Sequence, residues 1–343
     1  MNRINIGIVG LSFGKYIIEN ELLAGGGVPY FKLAGVCALE REQCAAAAAK
    51  YGVKAYYDLD SLISDPEIPV IGLFTGPVGR AALIQRIIEA GKDVMTTKPF
   101  ELDADAALAV LQRAKELKRV VHLNSPSAVV SDDLRQIESW LAEYPLGRPI
   151  AAHFQTWVSY REKADGSWYD NPDQCPVAPL FRLGIYALND IVCYFGEPES
   201  VQVTQSRIFT GRPTADSGVL TIRFKSGAIA TIFASFCVGG DIPYGDALTM
   251  NFENGTIYRG VGPRTNHQEC MLKLITGGSP SPVVREVAIP AGNRSGSYQW
   301  AVFHRAIHGE IPETVVEPSH VAAAIRIIRA MSLAQYSGRT EQV

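Results

Sequence analysis

The chain has 343 residues, 47% of them hydrophobic and 20% charged, with a formal net charge of -3. That length exceeds one ordinary hydrophobic core and points to two domains, while the nearly balanced charge argues against nucleic acid or an anionic membrane as partner. Six cysteines (Cys37, Cys44, Cys175, Cys193, Cys237, Cys270) form no C-x-x-C pair. Neither a zinc knuckle nor a redox motif is indicated, no metal site is expected, and reduced thiols in the cytoplasm are the expectation. No apolar run has membrane-spanning length, and the N-terminal residues read as a strand rather than a signal segment.

In chain order, Ile4 to Val9 is an apolar run that predicts a strand buried on both faces. A glycine turn follows, then a helical stretch around Lys15 to Leu23, broken by Gly25-Gly26-Gly27. Phe31 to Cys37 is the second strand. Glu40 to Tyr51 is helical and Gly52 ends it. A short helix at Leu59 to Ile63 precedes a strand at Val70 to Phe74. A helix over Arg80 to Ala90 closes at Gly91, and a strand over Asp93 to Thr96 leads into Lys98-Pro99. Asp103 to Leu117 is a long helix and Val120 to Leu123 the next strand. This βαβ order predicts a doubly wound parallel sheet. Beyond Asn124 the pattern changes. Strands are predicted at Ile150 to Ser159, Val201 to Ile208, Gly218 to Phe224 and Ala228 to Phe236, with a hairpin turn at Lys225-Ser226-Gly227. Helices are predicted at about Leu180 to Phe195, Ser297 to His308 and Ser319 to Tyr336. The expected architecture is an α/β Rossmann domain over residues 1–124 and an α+β domain with a large, mostly antiparallel sheet over 125–343.

The turn after the first strand is Gly10-Leu11-Ser12-Phe13-Gly14. Such turns let backbone N–H groups approach a pyrophosphate at a helix N-terminus. Only Gly10 stands in register with G-x-G-x-x-G; Ser12 is small enough for close approach, and Gly14 comes one residue early. Gly10, Ser12, Phe13 and Gly14 are the candidate pyrophosphate residues. The acid that reads a ribose is expected about 20 residues on. There the chain has Ala38-Leu39-Glu40-Arg41: Glu40 suits a ribose and Arg41 a 2′-phosphate, with solvated helix-start residues as the equal alternative, and NAD or NADP is the expected cofactor. Lys98 ends a parallel strand at the sheet edge where ligands bind. His122, at the end of another strand, is a candidate to line the same site, with a satisfied structural histidine as the alternative.

The segment from Glu89 to Pro99, E-A-G-K-D-V-M-T-T-K-P, resembles the EAGKHVLCEKP stretch of the glucose–fructose oxidoreductase, inositol dehydrogenase and MocA family. Tyr51 to Asp58, Gly166-Ser167-Trp168 and the run from Trp300 to Arg339 are similar to other stretches of that family. The resemblance implies a hydride-transfer enzyme using NAD or NADP on a sugar-like or polyol substrate, assembled as a homodimer or homotetramer through a broad sheet. It implies that Lys98 is the lysine of the E-K-P motif, with Thr97 in place of the glutamate. The family's T-P-N segment corresponds to Thr75-Gly76-Pro77, and a later histidine to Arg80. Trp168 is a candidate to stack near the cofactor, with core packing, the commoner fate of a tryptophan, as the alternative.

The family's D-x-G-x-H-x-x-D helix is matched by Arg182, Gly184, Tyr186 and Asn189, similar to a branch with tyrosine at the histidine position. On a regular helix, Arg182, Tyr186, Asn189 and Asp190 share one polar face, facing a cavity, solvent or one another as an Arg182–Asp190 pair. The resemblance makes Tyr186 the acid/base and Lys98 its cation, because a free tyrosine titrates near about 10 and a neighbouring cation lowers that value; direct protonation of the substrate oxygen by Lys98 is the alternative. Asn189 would orient hydroxyls. Arg182, with Arg161 and Arg80, would pair a uronate or sugar phosphate. His304 and His308 have the i,i+4 spacing of zinc proteases without the glutamate and read as helix-end residues. Two rival functions remain open on sequence: a non-catalytic sensor of metabolite or cofactor, and redox-neutral sugar chemistry with retained NAD.

Overall fold

The structure is a computed structural model that describes residues 3–239, 246–261, 269–277, 281–290, 295–311 and 317–343. Contacts divide it into two compact units, the first comprising residues up to Val129 together with Tyr298–Val321, the second Val130–Ser297 together with Ala322–Val343.

The first unit is built on six parallel strands: β1 (Ile4–Val9), β2 (Phe31–Cys37), β3 (Lys54–Tyr56), β4 (Val70–Leu73), β5 (Asp93–Thr96) and β6 (Val121–Leu123). Their spatial order is β3-β2-β1-β4-β5-β6, so the direction of winding reverses between β1 and β4. The crevice outside the strand ends at that reversal is where such sheets bind ligands. Helices α1 (Phe13–Ile17), α2 (Arg41–Tyr51), α3 (Leu59–Ile63), α4 (Arg80–Glu89) and α5 (Ala104–Glu116) connect the strands. α1 starts two residues before Lys15 and runs on as a π-helical turn over Ile18–Leu22. Local chemistry sets the other ends. Gly52 terminates α2 in the left-handed conformation. The Asp103 carboxylate accepts from the N–H groups of Asp105 and Ala106 and starts α5.

The second unit opens with α6 (Asp132–Glu143) and β7 (Pro149–Trp157). A π-helical turn at Leu180–Gly184 leads directly into α7 (Ile185–Phe195). Strands β8 (Pro198–Ser206), β9 (Ser217–Phe224), β10 (Ile229–Ser235), β11 (Ala247–Phe252), β12 (Gly255–Arg259), β13 (Glu269–Thr276) and β14 (Val284–Pro290) follow. The sheet has the order β14-β13-β12-β11-β7-β10-β9-β8-β15, where β15 (Glu341–Gln342) is the chain's last strand. Only β7 and β10 pair in parallel among these neighbours. Alternation along β9 and β10 puts Leu220, Ile222, Ala230 and Ile232 into the core. The opposite face carries Val219, Thr221, Thr231 and Phe233, as expected for a sheet packed on one side.

The division at residue 124/125 needs one correction. The chain returns, and α8 (Trp300–Ile307) belongs to the first unit. The reason is aromatic packing. Phe303 is fully buried with its ring stacked 5.4 Å from that of Phe31, and Trp300 meets the same ring edge-on at 5.4 Å. The Trp300 indole N–H donates to Glu21 at 2.8 Å. α9 (Pro318–Ser337) then carries the chain to its end. No helix among the described residues is long and apolar enough to cross a membrane.

If Phe303 ties this returning segment to the first unit, Phe303→Ala should lower the unfolding free energy by about 3–5 kcal/mol. Urea denaturation measures this, and a loss below about 1 kcal/mol, the scale of an ordinary single substitution, would contradict the packing role.

Candidate active site

At the reversal of strand order, Gly10 has φ +87° and lies against the next turn; a Cβ there would sit 2.8 Å from the Phe74 carbonyl oxygen. Its N–H donates to the Cys37 carbonyl at 3.0 Å, so the turn is held between the ends of β2 and β4. Gly14, one residue early for the fingerprint, still does the packing expected of a third glycine: a Cβ would come 2.9 Å from Ile8. Ser12 and Phe13 are exposed, and the Phe13 ring stacks on Tyr16 at 5.5 Å. At the end of β2, Ala38 is half-buried and Glu40 is the residue preceding α2, its side chain making no capping bond. Arg41 lays its guanidinium over the Tyr57 ring at 4.6 Å.

Lys98 is half-buried just past β5. Its backbone N–H donates to the Asn124 side-chain carbonyl at 3.0 Å. The Thr97 hydroxyl donates to the same oxygen at 3.3 Å and accepts from the Tyr298 hydroxyl at 3.1 Å. Arg80, 1% exposed, ties the lysine loop to the turn after β4. Its guanidinium donates to the carbonyls of Thr97 (2.6 Å), Pro99 and Phe100 on one side and of Thr75 on the other. Glu101 answers from the lysine loop, accepting from the N–H groups of Gly79 (3.3 Å) and Ala81 (2.8 Å) at the start of α4. Arg80 is therefore not an anion reader, because backbone carbonyls already occupy it. The structure thus gathers Gly10, Thr75, Gly76, Thr97 and Lys98 at the carboxyl edge of one sheet.

His122 does not line that edge. It is fully buried, its Nε2 lies 3.0 Å from the Tyr298 carbonyl, and its ring packs on Phe303 at 5.4 Å. Burial pushes its pKa down to about 4, against a smaller upward pull from that carbonyl, so the ring is neutral near pH 7. His304 and His308 pack ring to ring at 4.4 Å. Among the described residues no group of three or more His, Cys, Asp and Glu side chains is placed to hold a metal ion.

In the second unit the polar stripe is not a continuous wet face. Bonding in the π-helical turn runs i→i+5, which takes Arg182 out of line with the later residues. Its two guanidinium ends donate to the two Glu162 oxygens at 2.6 and 3.1 Å. Its flat faces meet the rings of Tyr169 (4.0 Å), Phe236 (4.7 Å) and Tyr160 (5.4 Å). Arg182 is therefore already neutralised by a carboxylate of its own chain and does not wait for a substrate anion. Trp168 packs on Tyr169 at 4.1 Å and edge-on to Phe181 at 6.3 Å. Gly184 fits against Ile232 of β10. Asn189 is 3% exposed. Arg161 is exposed, with φ 47° and its guanidinium 4.9 Å from the Phe209 ring.

Asp190 does not pair with Arg182. It accepts from Arg259 at 2.7 Å and from the Ser295 hydroxyl at 2.8 Å. The same arginine bonds Asp133 at 3.1 Å, and Asp133 accepts from the Ser295 N–H at 3.1 Å. All three charged groups are nearly fully buried. Burial raises the Asp190 pKa, with Arg259 pulling it back and Asp133 adding to the rise. The network fixes Ser295 and with it Gly296, whose φ is +97° and whose Cα lies over the Tyr186 ring: a Cβ there would come 2.9 Å from Tyr186 Cε1. Tyr186 is half-buried beneath this loop. Asn124, Glu101, Glu162, Tyr298, Arg259 and the Ser295-Gly296 loop were not anticipated from sequence; Glu101 and Glu162, acids close to Lys98 and Arg161, were the legible signals.

The sheet order, the glycine turn at its reversal and a lysine at its carboxyl edge define a two-unit protein of the dinucleotide-binding class. The chain belongs to the GFO/IDH/MocA oxidoreductase family: residues 4–125 match its NAD-binding Rossmann fold and residues 134–258 its C-terminal domain. It is 31% identical over 159 residues to the dehydrogenase aclE of Aspergillus oryzae, covering 44% of this chain and 43% of that protein, less than half of its length. It is 22% identical over 276 residues to levoglucosan dehydrogenase of Pseudarthrobacter phenanthrenivorans, covering 75% and 66%. A solved structure of levoglucosan dehydrogenase in complex with NADH and L-sorbose matches the fold with a TM-score of 0.72 at 18% identity, over 100% of this chain and 99% of that one.

Two measurements check the site. Gly296→Ala places a methyl against the Tyr186 ring at a backbone conformation that disfavours alanine; turnover should fall at least tenfold while dinucleotide affinity, read by fluorescence, holds. Unchanged turnover would show that the loop does not position Tyr186. For His122, the unfolded chain takes up a proton near pH 6.5 and the folded chain only near 4. Stability is therefore complete above about 6.5 and declines as pH falls toward 4, by up to about 3 kcal/mol. His122→Leu should flatten that decline in denaturant midpoints measured from pH 4 to 7; an identical slope would refute the assignment.

Proposed function

We propose that this chain is an NAD(P)-dependent oxidoreductase of a sugar-like or polyol alcohol or ketone. The observation that carries the reading is Lys98, held by Asn124 and the Arg80 clasp at the same sheet edge as the Gly10 turn. The residues fit a dinucleotide: Gly10, at φ +87° and packed against the turn after β4 where no Cβ has room, makes the tight bend that a pyrophosphate-binding turn needs, with Ser12, Phe13, Thr75 and Gly76 as the proposed pyrophosphate neighbours. Past the end of β2, Ala38, Glu40 and Arg41 are the groups that would meet the ribose of NAD or NADP. A bound nicotinamide dinucleotide supplies the two-electron acceptor for a carbinol carbon, or the donor for a ketone.

The chain's own residues handle the proton. Tyr186 is the proposed acid/base that takes the hydroxyl proton as the carbinol becomes a carbonyl, and returns it in the reverse direction. Lys98 is the proposed cation that favours the charged oxygen in each case. The loop over Tyr186 and the carbonyl clasp behind Lys98 limit the freedom of both segments, which is how a protein lowers the entropic part of such a barrier. The proposed assembly is a homodimer or homotetramer through the open sheet face that bears Val219, Phe233 and the exposed Ile229.

Lys98→Met and Tyr186→Phe should each remove most turnover, on the order of a hundredfold or more, with unfolding midpoints near wild type. The assay follows nicotinamide absorbance with NAD and NADP across a panel of sugars and polyols. Near-normal kcat/KM in both variants would overturn the residue roles. Dinucleotide binding by the wild type without turnover of any substrate would overturn the oxidoreductase reading.

A further inference from the structure

Three arginines meet at one corner of the second unit, where β7 and β10 end side by side. Two are neutralised. Arg182 is bidentate on Glu162. Arg212, 5% exposed, bonds Asp170 at 2.6 Å and Asp165 at 3.4 Å. Arg161 differs: it is exposed and no carboxylate among the described residues pairs with it. Its guanidinium instead lies over the ring of Phe209. Its root is fixed, since its backbone N–H donates to the Phe236 carbonyl at 3.4 Å and its φ of 47° is one that few non-glycine residues adopt.

The ring beneath it is presented rigidly. Phe209 is 58% exposed and its neighbour Ile208 68%, yet their loop is ordered from below. The fully buried Asp216 carboxylate accepts the N–H groups of Ile208 and Phe209 at 2.7 Å each and of Thr210 at 3.2 Å. Arg207 donates to the Pro213 carbonyl at 2.9 Å, and the Thr214 hydroxyl to the Tyr169 carbonyl at 2.9 Å. Two large apolar side chains held in water on a braced loop mark a surface kept for contact, and a preformed surface loses little entropy on binding. The corner also adjoins the helix of Tyr186. Tyr160, the neighbour of Arg161, lies against the guanidinium of Arg182, which sits on the π-helical turn leading into α7, four residues before Tyr186.

We propose that Arg161 and Phe209 form a substrate subsite for the anionic group of a sugar acid or sugar phosphate. The planar guanidinium offers a two-pronged donor set to a carboxylate or phosphate, while Phe209 and Ile208 take the C–H face of the ring that carries it. This rests on the oxidoreductase reading and narrows its substrate class; Arg161 replaces Arg182 and Arg80 as the residue that reads the charge.

The test pairs neutral and anionic sugars of one ring: glucose, glucuronate and glucose 6-phosphate, then galactose and galacturonate. Wild type should favour an anionic member over its neutral counterpart at least tenfold in kcat/KM. Arg161→Gln should bring that ratio close to one, mainly through KM, and Arg161→Glu should invert it. Phe209→Ala should raise KM for every member that wild type accepts. Absence of a preference in the wild type, or a loss in Arg161→Gln that is equal for neutral and anionic sugars, would overturn the subsite. Should neither these sugars nor the wider panel of sugars and polyols be turned over, the oxidoreductase reading fails on its own, and calorimetry decides the subsite separately. Glucuronate or glucose 6-phosphate binding weakened at least tenfold by Arg161→Gln sustains it; equal or undetectable binding overturns it.

Discussion

The first unit's site depends on one buried guanidinium. A charge taken out of water is tolerated when hydrogen bonds replace that water, and Arg80 directs Nη1 and Nη2 to carbonyls from two different turns, Thr75 after β4 and Thr97 to Phe100 after β5. Those carbonyls close no ladder or helix. They point inward because a donor stands there to meet them. Glu101 returns the constraint by holding the first N–H groups of α4, the helix that bears Arg80. The two turns can therefore move only together, and Lys98 moves with them. A lysine on a free loop would spread over many orientations; here its backbone is bound by Asn124 and its loop by Arg80.

The second unit uses the same device for a different group. Arg259 sits between Asp133 and Asp190, and both carboxylates also hold Ser295. One guanidinium faces two carboxyl groups away from water, and the Ser295 hydroxyl and N–H supply them with two further hydrogen bonds. Removing one member of such a group strands the others, at a cost of about 3–5 kcal/mol. That cost makes the position of Gly296 over Tyr186 hard to vary. In each unit a buried arginine fixes a loop, and the loop fixes the residue with chemistry to offer.

Much of the fold was legible because its signals are local. The apolar run of β1, Gly52 at the end of α2 and the Asp103 cap of α5 act within a turn or two of themselves. Gly14 was legible as a departure and explicable only in three dimensions, where contact with Ile8 shows that packing, not spacing, is what the third glycine serves. The site was less legible wherever a residue's role depends on a partner far along the chain. His122 at a strand end looked like a wall of the site, yet Tyr298 and Phe303, some 176 and 181 positions later, bury it. The returning helix α8 was read as a helix but given to the wrong domain, since nothing near Phe303 announces Phe31 as its neighbour.

The arginines show why charge read from sequence misleads about ligands. Arg80, Arg161 and Arg182 all stood as cations suited to an anionic substrate. What separates them is who neutralises each. Arg80 directs Nη1 and Nη2 to carbonyls, Arg182 pairs with Glu162 between three aromatic rings, and Arg161, above Phe209, has no carboxylate partner among the described residues. A guanidinium already matched by a carboxylate gains little from a second anion, because that anion must displace the first and both carry the same charge. One stacked on an aromatic ring keeps its in-plane donors free, for the ring takes only the face. Substrate charge is therefore decided by the partners of the cations rather than by their number, and partners are a property of the folded chain.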